Sequence, residues 1–140
     1  MKRRITKKIL RKEEQNLGHS LKGFLANAND ETYVIRLREL NSALTYLLGV
    51  HLQLDPAWDH KQRWLDNVEW SSLSSSGTKL NGNGKIWWGY RRRASDELVA
   101  VEFEARLQLR PTGRSFGVGY VVTFEDERVK FHIRSRDPCC

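Results

Sequence analysis

Between Lys85 and Arg134 apolar and polar residues alternate with period two through four successive runs, KIWWGYRRR, ELVAVEFEARLQLR, SFGVGYVVTFE and RVKFHIR. Only an extended strand carries every second side chain on one face, so this stretch of chain has little choice but to form a sheet. The separators ASD, PTGR and EDE are short and turn-forming, which predicts antiparallel neighbours in a meander. One face then collects Ile86, Trp88 and Tyr90, the odd-numbered residues from Val99 to Leu109, the even-numbered ones from Phe116 to Phe124, and Val129, Phe131 and Ile133. A face this apolar needs a cover, and the cover must come from the preceding residues.

Helical spacing supplies it. Ile5, Ile9, Leu17, Leu21 and Leu25 recur at intervals of four or eight, which predicts one helix or a broken pair over residues 1–26, weakened by Gly18 and Gly23. After Asn29 and Asp30, either of which can cap, Tyr33, Leu37, Leu40, Leu44 and Leu47 step by four and three, and Gly49 offers a stop. GVHLQLD reads as a short strand with Val50, Leu52 and Leu54 on one side. Asp55 and Pro56 look like the opening of a third helix, with Trp58, Gln62 and Leu65 on its face. SSLSSSGTKLNGNG is rich in turn-favouring residues and predicts a loop or a frayed edge strand. The expected architecture is α+β: a basic segment over residues 1–26, then a single domain over 27–140, with N-terminal helices packed on one face of a curved four- to five-stranded antiparallel meander.

Charge is divided unevenly along this framework. MKRRITKKILRK contains Lys2, Arg3, Arg4, Lys7, Lys8, Arg11 and Lys12 and no acid, and these seven equal the whole formal net charge of +7. The remaining 17 Lys/Arg balance 17 Asp/Glu. A dense cationic segment on a neutral body suits a polyanion, because each phosphate neutralised releases a condensed counterion. Nucleic acid or a nucleoprotein assembly is the expected partner. An anionic membrane surface ranks below it, since Ile5, Ile9 and Leu10 make only a short apolar edge and no aromatic residue precedes Phe24; a merely solubilising terminus is the bland alternative. KIWWGYRRR adds Trp87, Arg91 and Arg93 on the outward side with Arg92 beside them, a pairing of stacking plane and charge that single-stranded nucleic acids use. The same pairing also serves structure alone, as an arginine stacked on an indole.

The outward face of the meander offers less chemistry. Short turns place Trp87, Glu104, Val121 and His132 in one cross-strand row, Gly89, Glu102, Thr123 and Lys130 in a second, and Lys85, Arg106, Gly119 and Arg134 in a third. Glu104 and His132 are then separated by a whole strand, about 10 Å between backbones, too far for direct proton transfer. The four histidines lack metal-ligand spacing, no nucleophile or phosphate-loop motif occurs, and no cofactor or metal is expected. Cys139 and Cys140 are adjacent at the end of the chain and cannot clamp a core. No apolar run approaches a membrane span and no secretory signal opens the chain, so an intracellular, cytoplasmic protein without integral membrane association is expected.

Two resemblances bear on function. SFGVGYVVTFED is similar over about ten residues to the aromatic strand of RNA-recognition-motif domains. Val122 is an insertion relative to that pattern, and a turn and one strand follow it here, where that family has a helix and a final strand; no RNA-stacking residues are therefore carried over. The element order of helices and then a curved meander resembles NTF2-like and cystatin-like architectures. That implies a cavity between sheet and helices, lined by residues such as Trp58, Trp64, Trp88, Tyr90, Phe103 and Tyr120, for a small ligand or an enzyme site. A protein-interaction adaptor, or an inhibitor or immunity-type protein, is the further alternative. It would use the exposed sheet face, the glycine strip from Gly117 to Gly119, or the final edge strand from Arg128 to Arg134.

Overall fold

Two helices precede five strands: α1 (Lys2–Ala26), α2 (Tyr33–Leu54), β1 (Arg63–Ser76), β2 (Lys79–Tyr90), β3 (Val99–Thr112), β4 (Ser115–Asp126) and β5 (Val129–Arg134). The computed structural model describes residues 2–26, 31–91, 97–112 and 115–136. The strands form one antiparallel sheet in the order β1-β2-β3-β4-β5, the α+β meander that the period-two alternation requires. Asn29, Asp30, Cys139 and Cys140 lie outside the described residues.

The inward face is the apolar one. Ile86, Trp88, Phe103, Leu107, Tyr120, Val122 and Phe131 are almost fully buried there, against Leu17, Leu21 and Phe24 of α1 and Leu40, Leu44, Leu47, Leu48 and Leu52 of α2. α1 packs on β4 and β3, and α2 packs on α1 and β1. Each leucine taken wholly out of water contributes about 2 kcal/mol.

Two local expectations are overturned, and a third is decided in favour of one of its two alternatives. Residues 50–54 are the last turns of α2, not a strand. Alternation would put Leu52 and Leu54 on one side, but Leu52 is 1% exposed and Leu54 is 56% exposed, as expected when Leu44, Leu48 and Leu52 continue one helical stripe. Burying Leu52 offsets the cost of about 1 kcal/mol that Gly49 brings to a helix interior. After α2, Asp55 makes the cap-like contact, accepting from the Ala57 N–H at 2.9 Å. No third helix follows, because Trp58 turns inward to stand edge-on to Trp88 and Phe131 at 5.7 and 5.9 Å between ring centroids. Gln62 and Leu65 consequently share no helical face with it.

Of the loop and the edge strand expected for the serine-rich run, the edge strand is the one found. The run forms the distal half of edge strand β1 and the first half of β2, joined at Gly77 and Thr78. Gly77 has φ +61°, the left-handed first position that a two-residue hairpin of the II′ kind requires. NGNG lies within β2 because rings need the space. The Trp70 and Phe103 rings, 5.2 Å apart, sit over Gly82 and Gly84. A Cβ at Gly84 would lie 2.0 Å from the Glu69 carbonyl oxygen and 2.8 Å from the Phe103 ring.

The sheet is strongly curled. A flat sheet would hold β1 and β4 three strand spacings apart, about 14 Å, yet Arg63 at the start of β1 is ion-paired with Asp126 at the end of β4. The Arg63 guanidinium lies between the Trp58 and Trp88 rings, 4.9 and 4.6 Å from their centroids. This clasp closes one end of the curl.

Candidate nucleic-acid interface

The basic segment is helical, part of a single α1 that starts at Lys2 and runs unbroken through Gly18 and Gly23. Its first fully buried side chain among those described is Leu17, but Leu10 already packs half-buried against the core, so these turns lie along the domain and present their cationic side to solvent. Lys7, Lys8, Arg11 and Lys12 are exposed, and among the described residues none of the four has an ion-pair partner. Of Lys2, Arg3 and Arg4 the structure describes the helical backbone only.

Helical geometry organises these cations. At about 100° and 1.5 Å per residue, Lys7 and Arg11 form one row, and Lys8 and Lys12 a second beside it. Within each row the rise is about 6 Å, and together the rows span about 140° of the helix surface. Like charges four apart cost a helix about 0.2–0.5 kcal/mol per pair. The first turn of α1 holds no acid to meet the positive end of the helix dipole. Among the described residues no ion pair compensates these charges.

A polar contact that sequence reasoning missed adds to the packing of Leu10 in fixing these turns to the domain. The Tyr120 hydroxyl of β4 donates to Glu14 Oε2 at 2.8 Å and lies 2.7 Å from His51 Nε2 of α2. A phenol has one proton, and here it goes to Glu14, so His51 Nε2 must carry its own hydrogen and donate to the Tyr120 oxygen. Burial lowers the His51 pKa below its ordinary value. Burial, then the charge and hydrogen bond of Glu14, raise that of Tyr120. Both groups are therefore held neutral, and α1, α2 and β4 are tied together immediately after the last basic residue.

The other expected contacts are placed elsewhere. Trp87 is half-buried on β2, on the opposite face from Ile86 and Trp88, whereas α1 packs over the inward face. Arg91 is exposed, and its backbone N–H and Nε donate to the carbonyls of Gln62 and His60 at 2.7 and 3.2 Å; it braces the turn before β1. Arg92 and Arg93 lie outside the described residues. The sheet thus separates Trp87 from the helix cations and does not gather them into one site.

On the outward face every residue keeps its expected side, but the rows differ. Glu104 pairs with Asn83 and Thr123, and Thr123 with His132, so Thr123 and not Val121 stands between Glu104 and His132. Lys85 lies opposite Glu102, and Arg106 opposite Asn81 and Val121. Two shallow grooves of about 420 and 560 Å³ cross this surface. Among the described residues no group of three or more His, Cys, Asp or Glu is placed to hold a metal ion. Trp64 covers Gly89, its indole 2.9 Å from where a Cβ would stand, so at Gly89 the approaching element is a side chain from the neighbouring strand.

Nor do the six aromatics expected to line a cavity enclose one. Trp58, Trp88, Phe103 and Tyr120 are 3% exposed or less, and Trp88 packs edge-on to Tyr90 at 4.9 Å. Trp58 and Trp64 alone of the six reach a groove of about 540 Å³ between α2 and β1, which is open to solvent. No helix among the described residues is long and apolar enough to cross a membrane. Compared with protein-family models, curated proteins and solved structures, the chain matches none.

Proposed function

We propose that this protein binds nucleic acid electrostatically, without enzymatic chemistry, through the cationic side of α1. The observation that carries this reading is the exposure of Lys7, Lys8, Arg11 and Lys12 on the solvent side of α1, without ion-pair partners among the described residues. Helical cations held rigidly by the Glu14–Tyr120–His51 contact lose less freedom on meeting phosphates than a disordered tail would, which favours affinity.

The test compares the full-length protein with the quadruple variant Lys7→Gln, Lys8→Gln, Arg11→Gln, Lys12→Gln by fluorescence anisotropy on labelled nucleic acid. None of the four is buried, so the variant folds. If each contacts a phosphate, the slope of log affinity on log salt flattens by about 3 to 4 between about 50 and 200 mM salt. An unchanged slope and affinity in the variant, or no binding by the wild type at about 50 mM salt, would overturn the proposal.

A further inference from the structure

The shape of the cationic surface selects among nucleic acids. Each row of α1 continues past its last cation into an exposed amide: Lys7 and Arg11 lead to Gln15, and Lys8 and Lys12 lead to Asn16. Two parallel rows thus run along the solvent side of α1, cationic towards its start and amide further along it. We infer that the ligand is B-form duplex DNA, engaged with α1 along the major groove; this rests on the nucleic-acid reading given above.

Four observations converge on it. A helix with its side chains is about 10–12 Å across and the B-DNA major groove about 12 Å wide, so α1 enters as a single rod. A cationic arc of about 140° reaches outward on both flanks, towards the phosphates on either side of such a groove, where a narrow stripe would meet one strand only. The rise of about 15 Å from Lys2 to Lys12 matches about four base pairs. Gln15 and Asn16 are of the residue types that pair bidentately with adenine in that groove, and they stand in line with the cations.

Single strands and duplex RNA fit less well. Sequence-tolerant single-strand sites stack bases on aromatic rings, but no aromatic residue precedes Phe24 in α1, Phe24 is buried, and Trp87 lies on the other side of the sheet. The major groove of A-form RNA is too narrow to admit a helix.

The experiment measures binding of the full-length protein to one sequence as duplex DNA, single-stranded DNA and duplex RNA, at equal length and salt. Duplex DNA is expected to bind at least about tenfold more tightly than either. Netropsin, which fills the minor groove, should leave binding intact, and glucosylation of the major-groove edge should abolish it. The Gln15→Ala, Asn16→Ala variant should lose about threefold to tenfold in duplex affinity at unchanged salt slope, because amides release no counterions. Equal or tighter binding to single strands or duplex RNA, or displacement by netropsin with no effect of glucosylation, overturns the major-groove inference and leaves the nucleic-acid reading standing. Absence of binding to all three overturns both.

Discussion

Neutralising Asp126 while keeping its shape, as Asp126→Asn does, tests what holds the curl of the sheet. The Asp126 side chain is 4% exposed and that of Arg63 is 15% exposed, so the substitution leaves a cation enclosed by two indoles without its counter-charge. Breaking one side of a buried pair costs about 3–5 kcal/mol. The Trp58 and Trp88 faces still attract the guanidinium, each by about 1–2 kcal/mol, which places the expected loss at the lower end. With an unfolding entropy of about 2.1 cal/mol/K per residue and a chain of 140 residues, a loss of about 3 kcal/mol lowers Tm by about 10 °C. The assay is urea unfolding of wild type, Asp126→Asn, Asp126→Leu, Arg63→Met and the double variant Arg63→Met, Asp126→Leu. The double variant should recover to within about 1–2 kcal/mol of wild type, since hydrophobic replacement of both partners is often neutral. An Asp126→Asn protein within about 1 kcal/mol of wild type, or a double variant as unstable as the sum of its singles, would refute the clasp as a stabilising closure of the curl.

Two further outcomes follow from the packing. Because burial lowers the His51 pKa in the folded state, the unfolded chain binds the proton more readily. The His51 contribution to stability is then complete above about pH 6.5 and declines as pH falls below that value towards the lowered folded pKa. Urea midpoints should show this decline in wild type, and His51→Gln should show less of it; an identical pH dependence in both would exclude His51 as its source. Gly84→Val drives a side chain into the Glu69 carbonyl and the Phe103 ring and should destabilise the protein by about 3 kcal/mol or more, measured by thermal unfolding; a loss below about 1 kcal/mol would show that β1 yields easily there.

Legibility in the sequence tracked the range of the forces involved. The inward face from Ile86 to Ile133 is written in an alternation that each strand carries by itself, and the expected register differs from the observed one only by even numbers, so no residue changes face. Gly82 and Gly84 misled because Asn-Gly favours a turn locally, whereas their role is set by the rings of Trp70 and Phe103 on the two neighbouring strands. Asp55 did form its cap-like hydrogen bond, but the pull of Trp88 and Phe131 on Trp58 outweighed helix continuation. The clasp joins residues 63 apart, and Glu14 meets Tyr120 across 106; no window of sequence contains either pair. Of the interface, the charges were legible and their two rows needed only an unbroken helix; the separation of Trp87 from them needed the sheet.

The docking of α1 also carries a consequence for the order of assembly. The surface that buries Leu17, Leu21 and Phe24 is completed by β3 and β4, and the hydroxyl that anchors Glu14 arrives only with Tyr120. During synthesis the ribosome therefore releases the cationic helix about a hundred residues before its seat exists, an interval of about 5–20 s at ordinary elongation rates. Contacts of such long sequence separation form late, so substitutions at the Glu14–Tyr120–His51 junction should accelerate unfolding while leaving the folding rate nearly unchanged. The helix that gives the protein its charge is thus made well before the strands that seat it and is among the last elements to dock.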